Sequence, residues 1–186
     1  MTKKKFWTVQ TVCVLGLMTA LVFVMTYLGI DIPSPLGKCK LHFGNIMCLL
    51  SSLLFGPAIG PLAAGFGSAL YDLTDPSWAP EFWMTFINKY AMSLVAGLVF
   101  HKIRLGRESV RVWFAGVAGI LAYVVLYAAK NIFSGVFILG FTYKVAVVEF
   151  LTTKLTVTLI NGVLAVICAG ALALALKPAL KKAHLL

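Results

Sequence analysis

The sequence predicts an all-α integral membrane protein with six transmembrane helices, both termini cytoplasmic, forming a single six-helix domain over residues 1–186. Three observations carry this expectation. Hydrophobic residues make up 61% of the chain and charged residues 12%, about half the roughly 25% charge of a soluble domain, and mean hydropathy is +0.96. Apolar runs recur with short loops between them, and a helical span of the bilayer needs about 20 such residues. The net charge of +10 is also concentrated: ten of the sixteen Lys and Arg side chains lie in Lys3–Lys5, in Lys102–Arg111 and in Lys177–Lys182. These three places share one side when the helix count is even, and basic loops mark the cytoplasmic side. The charge therefore sets topology and does not signal nucleic-acid binding.

The elements follow in order. Helix one spans about 7–30 and ends at GIDIPSPLGKCK, where Pro33, Pro35 and Gly37 break a helix. Its lysine-led start imitates a signal peptide, but the run is long and lacks a small-x-small cleavage site, so it is expected to be retained. Helix two runs about 42–55 to the FGP turn, and helix three from about 57 to the TDPSWAP loop. Helices four, five and six are expected at 82–101, 112–134 and 145–176. The loops at 31–41, 74–81 and 135–144 then face outside. Asp31, Asp75 and Glu81 fall in or beside them, and Asp72 ends helix three there. Trp78 and Trp83 sit where interfacial aromatics belong, as does Trp7 on the other side.

Cys13, Cys39, Cys48 and Cys168 have no metal-ligand or CxxC spacing and read as small hydrophobes. No metal site and no cofactor is expected. No HExxH, GxxxxGK[ST] or Ser-His-Asp pattern is present. The chain is therefore not expected to be an enzyme or an ATPase, and any pumping needs an ion gradient or a partner.

The informative residues are lysines inside apolar helices: Lys89 beside Asn88, Lys130 beside Asn131, and Lys154. A charge at mid-membrane costs roughly 2.5–3.5 kcal/mol. At 1.5 Å per residue Lys154 lies about 14 Å below the start of helix six, Lys89 about 10 Å deep and Lys130 about 6 Å. Lys130 can snorkel to the interface and Lys154 cannot. Their helix faces are polar as well. Thr85, Lys89 and Ser93 form one stripe, and Tyr123, Tyr127, Lys130 and Ser134 another; Lys154 shares a face with Asn161 and Thr158, with Glu149 a turn above.

This pattern predicts an outward-facing polar pocket between helices four, five and six. Asn88, Lys89, Tyr127, Lys130, Lys154 and Asn161 are its expected binding residues, with Lys40 and His42 closing it from the outer loop. Lysines suit an anionic group and tyrosines a flat ring. His42 is read as opening helix two, whereas His101 and His184 are read as solvated. Gly16 and Ala20 on helix one, and Gly60, Ala64 and Ser68 on helix three, have the small-xxx-small spacing that lets helices approach closely. Each patch serves either internal packing or a second membrane subunit.

The stretch GKCKLHFGNIMCLLSSLLFGPAIGPLAAGFGSALYDL, followed by TFINKYAMSLVAGLVF, resembles the substrate-binding S components of energy-coupling factor (ECF) vitamin transporters. The nearest branches in character are the riboflavin type and the hydroxymethylpyrimidine/pyridoxine type. The likeness covers roughly residues 10–100. It implies an externally open vitamin site and assembly with a transmembrane T subunit and two cytoplasmic ATPase subunits. It further implies that the Gly16–Ala20 patch touches the T subunit, with glycine here where the family pattern has alanine, and that the loaded subunit topples in the membrane. Three rival readings stand beside it. An autonomous ion-coupled transporter would carry protons on Glu149 or Asp72, an intramembrane enzyme would use a lysine as base, and a structural subunit would use its lysines only to pair with acids.

Overall fold

The computed structural model describes residues 7–34, 37–103, 106–138, 140–183 and 185. Lys3–Lys5, Pro35, Arg104 and His184, which entered the topology and loop expectations, lie outside the described residues. Among the described residues five helical stretches are long and apolar enough to cross a membrane: Val9–Tyr27, Gly44–Asp72, Ala79–Lys102, Glu108–Phe137 and Tyr143–Lys182. Large apolar side chains point outward all along them, among them Val125 on the fourth and Val163 on the fifth. Water would not tolerate so large a continuous apolar surface, and lipid does.

Helix α1 (Val9–Tyr27) starts at an N-cap in which the Thr8 hydroxyl accepts from the Thr11 amide. It buries a single stripe, Met18, Val22 and Thr26 at four-residue spacing, against the next helix. The segment expected as an irregular outer loop is an antiparallel hairpin, β1 (Gly29–Ser34) and β2 (Gly37–His42). Its register puts Asp31 opposite Lys40 and Ile32 opposite Cys39, and Asp31 and Lys40 form an ion pair at 3.5 Å. His42 accordingly ends a strand; it does not open a helix. The strands need their ladder bonds, which is why they replace the loop that Pro33 and the glycines suggested.

Helix α2 (Gly44–Asp72) is two arms joined at Gly56, whose φ of 81° is the left-handed region that glycine enters without penalty. Pro57 follows immediately, a favoured first residue for a new helical arm. The arms fold back on each other: Ser51 Oγ donates to the Gly60 carbonyl at 3.1 Å, and Cys48 meets Ser68. A Cβ on Gly60 would land on the Ser52 backbone, so only glycine permits this approach. The expected helices two and three are these arms, and the FGP turn lies between them. Gly60, Ala64 and Ser68 are buried here, so that patch packs the chain against itself.

A short 3-10 turn (Ala79–Glu81) leads into α3 (Phe82–Lys102), and α4 (Glu108–Phe133) begins four residues earlier than expected, taking Arg111 out of the loop. A π-helical turn (Ser134–Ile138) ends α4. Then α5 (Tyr143–Glu149), a second π turn (Phe150–Lys154) and α6 (Leu155–Lys182) form one continuous membrane-length helix, longer than the expected 145–176. The first arm of α2 is central, with Cys48, Leu49, Leu50 and Leu53 buried and with α3, α4 and α6 against α2.

The basic end of the bundle is tied together. Lys177 pairs with Glu108 and lies over the Phe100 ring, as does Arg111. His101, expected to be merely solvated, sits 3.2 Å from the Ser52 carbonyl near the α2 turn. The α2 turn, the α3–α4 connection and the end of α6 therefore occupy one end, and the hairpin occupies the other.

Candidate functional site

Beneath the hairpin lies a narrow polar cavity of about 70 Å³. Its walls come from the end of α1, the hairpin, the second arm of α2, the connection after it, α3, α4 and α6, a wider set than the three helices expected. Of the residues expected at a pocket, Lys40, His42, Lys89, Tyr127, Lys130 and Asn161 line it. Asn88 and Lys154 do not. Both are buried, but the α3 rotation that aims Lys89 inward turns Asn88 about 100° away from it, and Lys154 is engaged by Asn131.

Each lysine has company. Lys89 Nζ donates to Asn45 Oδ1 and lies 4.1 Å from the centre of the Tyr123 ring, a cation–π contact. Tyr123 and Tyr127 stack at 5.4 Å, as expected of residues four apart on α4. Lys130 does not snorkel; its Nζ is 2.6 Å from Glu81 Oε2, while Ser134 donates to the other Glu81 oxygen at 2.9 Å. The 3-10 turn is thereby fastened to the end of α4. Lys154 donates to Asn131 Oδ1 at 2.7 Å, and Asn131 in turn donates to the Tyr127 carbonyl. Ser93 of the expected polar stripe is taken up by Ser52 and the Cys48 carbonyl, deep in the core.

The hairpin is a roof with its own fastenings. Asn161 accepts from the His42 amide at 3.0 Å and donates to the Lys40 carbonyl at 2.8 Å, clasping β2 to α6. Its amide group is thus spent on the backbone although the residue lines the cavity. Lys40 donates to the Tyr71 hydroxyl. Burial works to lower the Lys40 pKa and is outweighed by Tyr71 and Asp31, so the ammonium is held above its usual value. His42 Nδ1 accepts from the Gly44 amide at 3.1 Å. Burial, and then the charges of Lys89 and Lys40, push the imidazole well below its ordinary pKa, so it stands neutral at pH 7. Burial likewise raises the Cys39 thiol.

Several lining residues are additions to the expected set: Tyr71, Asp72, Trp78, Thr85, Tyr123 and Thr158. Thr85 and Tyr123 belonged to the polar stripes around Lys89 and Lys130, which was the available signal. Trp78 looked like an interfacial anchor and instead faces the cavity, whereas Trp83 is half exposed as an anchor should be. Among the described residues no group of His, Cys, Asp and Glu is arranged to hold a metal.

On the outer face of α1, Gly16 and Ala20 are both exposed, and nothing lies within 4 Å of a Cβ built on Gly16. The α1 stripe that packs internally is the opposite one. This small-residue face is open to a neighbour in the membrane.

Comparison with known proteins agrees with this geometry. A protein of Pyrococcus woesei described as "Uncharacterized protein in gap 3'region" is 36% identical over 103 residues, covering 54% of this chain and 67% of the relative. The family described as "ECF-type riboflavin transporter, S component" matches residues 6–178, taking in every wall of the cavity and the exposed face of α1. A multi-pass membrane bundle with a roofed polar cavity, matched nearly from end to end, belongs to the ECF-type riboflavin transporter S component family.

Proposed function

We propose that this chain is the high-affinity substrate-binding subunit of an ECF-type importer, capturing a small vitamin or vitamin precursor beneath the hairpin and delivering it with a transmembrane T subunit and two cytoplasmic ATPases. The observation that carries this reading is the cavity itself, with stacked tyrosines, three lysines and a hairpin roof in one enclosure. The fold-back of α2 at Gly56 supports a reading of six membrane passes with both termini cytoplasmic, in line with the charge rule. The cavity then opens outward. The chain itself carries no ATP-binding motif, so the energy is the partners' and the chain is not itself an enzyme. The exposed Gly16–Ala20 face supports docking on the T subunit, because small residues allow the close backbone approach that stabilises helix pairs in lipid.

Uptake of labelled riboflavin by cells lacking their own vitamin importers tests the reading. Uptake should require co-expression of the T and ATPase subunits and cease when the ATPases are inactivated. A second reading, an autonomous ion-coupled transporter, is favoured by the two buried carboxylates, Asp72 and Glu149. It predicts uptake by the chain alone, abolished by an uncoupler.

A further inference from the structure

At the end of the bundle away from the hairpin, a second cleft, of about 410 Å³, opens between the start of α4 and the end of α6. Glu108, Ser109, Leu174, Lys177, Pro178 and Lys181 line it. Its charge is lopsided. Glu108 is the one acidic residue of the chain's six at this end, since Asp31, Asp72, Asp75, Glu81 and Glu149 all belong to the hairpin half. It pairs with Lys177 and also feels the charges of Lys181 and Arg111. Arg111 and Lys177 lie 4.8 Å and 4.5 Å from the centre of the same Phe100 ring. Three cations therefore crowd one carboxylate, an excess of two positive charges among the described residues. The cleft is amphiphilic in depth as well. Lys181 is exposed at the mouth, and Leu174 lies about two helical turns further in. One turn below Leu174 and Ser109, about 6 Å deeper, the Trp113 ring packs on Gly170, where a Cβ would meet it at 2.6 Å. That ring closes the floor and keeps an exposed edge toward lipid.

We propose that this cleft holds an anionic phospholipid, its phosphate between Lys181, Lys177 and the Ser109 hydroxyl and an acyl chain running past Leu174 to Trp113. A phosphodiester anion offsets the excess positive charge that Glu108 leaves. An ammonium has three donors, so Lys177 can keep Glu108 while it meets the phosphate. The apolar floor is what selects a lipid over a free anion, because only a molecule with a chain covers it. Basic pockets between membrane helices at the cytoplasmic side suit anionic headgroups, whereas a choline headgroup brings its own cation toward Lys181. The cleft lies on the α4–α6 side of the bundle, while α1 packs on α2, so a lipid here leaves the Gly16–Ala20 face open. The inference does not depend on what the cavity beneath the hairpin binds.

The test offers the purified full chain, in detergent, equal amounts of dioleoylphosphatidylglycerol and dioleoylphosphatidylcholine, with native mass spectrometry and thermal unfolding as readouts. One phosphatidylglycerol should be retained per chain, preferred by at least about 10-fold. Lys181→Gln should weaken that retention roughly 5-fold, the effect of one lysine at a membrane surface, and Lys181→Arg should preserve it. Lys182→Gln removes the same charge about 100° around α6, outside the cleft, and should leave retention unchanged. Both side chains are exposed, so none of these variants should lower the lipid-free melting temperature. Equal losses in the two glutamine variants would reduce the preference to diffuse attraction and overturn the site. Inorganic phosphate in millimolar excess should give no comparable stabilisation; an effect as large as the lipid's would make this a free-anion site and overturn the lipid. Equal retention of phosphatidylcholine would leave the cleft to another occupant, such as an acidic segment of a partner subunit, and would overturn the proposal too.

Discussion

The Lys130–Glu81 pair decides whether a lysine at the cavity wall is an anchor for ligand or a fastening of the wall. The Lys130 side chain is 8% exposed and that of Glu81 26%, with 2.6 Å between the charged atoms. Removing one member of a buried pair strands the other, at about 3–5 kcal/mol. Because Glu81 is about a quarter exposed, solvent screens part of that, and about 2–3 kcal/mol is the expected loss for Lys130→Met or Glu81→Gln alone. For a chain of this size that corresponds to a melting temperature lower by roughly 5–10 °C. The double variant removes both charges, and replacing a whole buried pair is often neutral. Its melting temperature should return to within about 2 °C of wild type, a coupling of about 4–6 kcal/mol. Thermal unfolding in detergent, followed by tryptophan emission, gives stability, and ligand titration of the same samples gives affinity. If Lys130 only fastens the wall, affinity recovers with stability in the double variant; if it also meets ligand, stability recovers and affinity does not. Additive losses in the double variant would refute the pairing.

Gly60→Ala should collapse the α2 turn and abolish folded protein in detergent, because the added Cβ meets the Ser52 backbone, whereas Gly16→Ala should leave the melting temperature unchanged; size-exclusion profiles of the two variants check this. Asn161→Ala removes both clasps of β2 and should cost about 1–3 kcal/mol, read as faster hydrogen exchange at the Lys40–His42 amides with little change in the α2 core. His42 has a pKa depressed by burial, so the folded state resists protonation. Its contribution is complete above an unfolded value of about 6.5 and is lost as pH falls below it toward the folded pKa. Stability should therefore decline with acidity from about pH 6.5 downward, and His42→Gln should flatten that decline in a pH series of thermal melts.

Much of this was legible in the sequence because membrane helices announce themselves by length and apolarity. Basic clusters set the relative ends, and FGP marked the α2 turn through the one residue able to take a positive φ there. Six of eight expected binding residues line the cavity; for Lys89, Tyr127 and Lys130 the reason is that polar stripes at helical spacing fix which face of α3 or α4 turns inward. Other features were hidden for stated reasons. The hairpin carries a period-two pattern in Asp31–Ile32 and Lys38–His42, but Pro33 and the glycines outweighed it in a local reading. The π turns around Ser134 and Phe150 shift side-chain phase without any sequence mark, and the second of them lies between Glu149 and Leu155, where the direction of Lys154 is set. Asp72 read as the end of a helix and Trp78 as an interfacial anchor; only the fold-back of α2 brings them to one wall. Asn161 was found on the right face, but its role as a clasp depends on a strand more than a hundred residues away.

The central claim is that the cavity beneath the hairpin holds a vitamin-sized ligand. Native mass spectrometry of the full chain, purified gently from its expression host with no ligand added, tests it most directly. The expected result is a vitamin-sized adduct on the wild-type chain that is diminished in Lys89→Ala. A bare protein mass, with no thermal shift across a vitamin panel that includes riboflavin and pyridoxine, would contradict it.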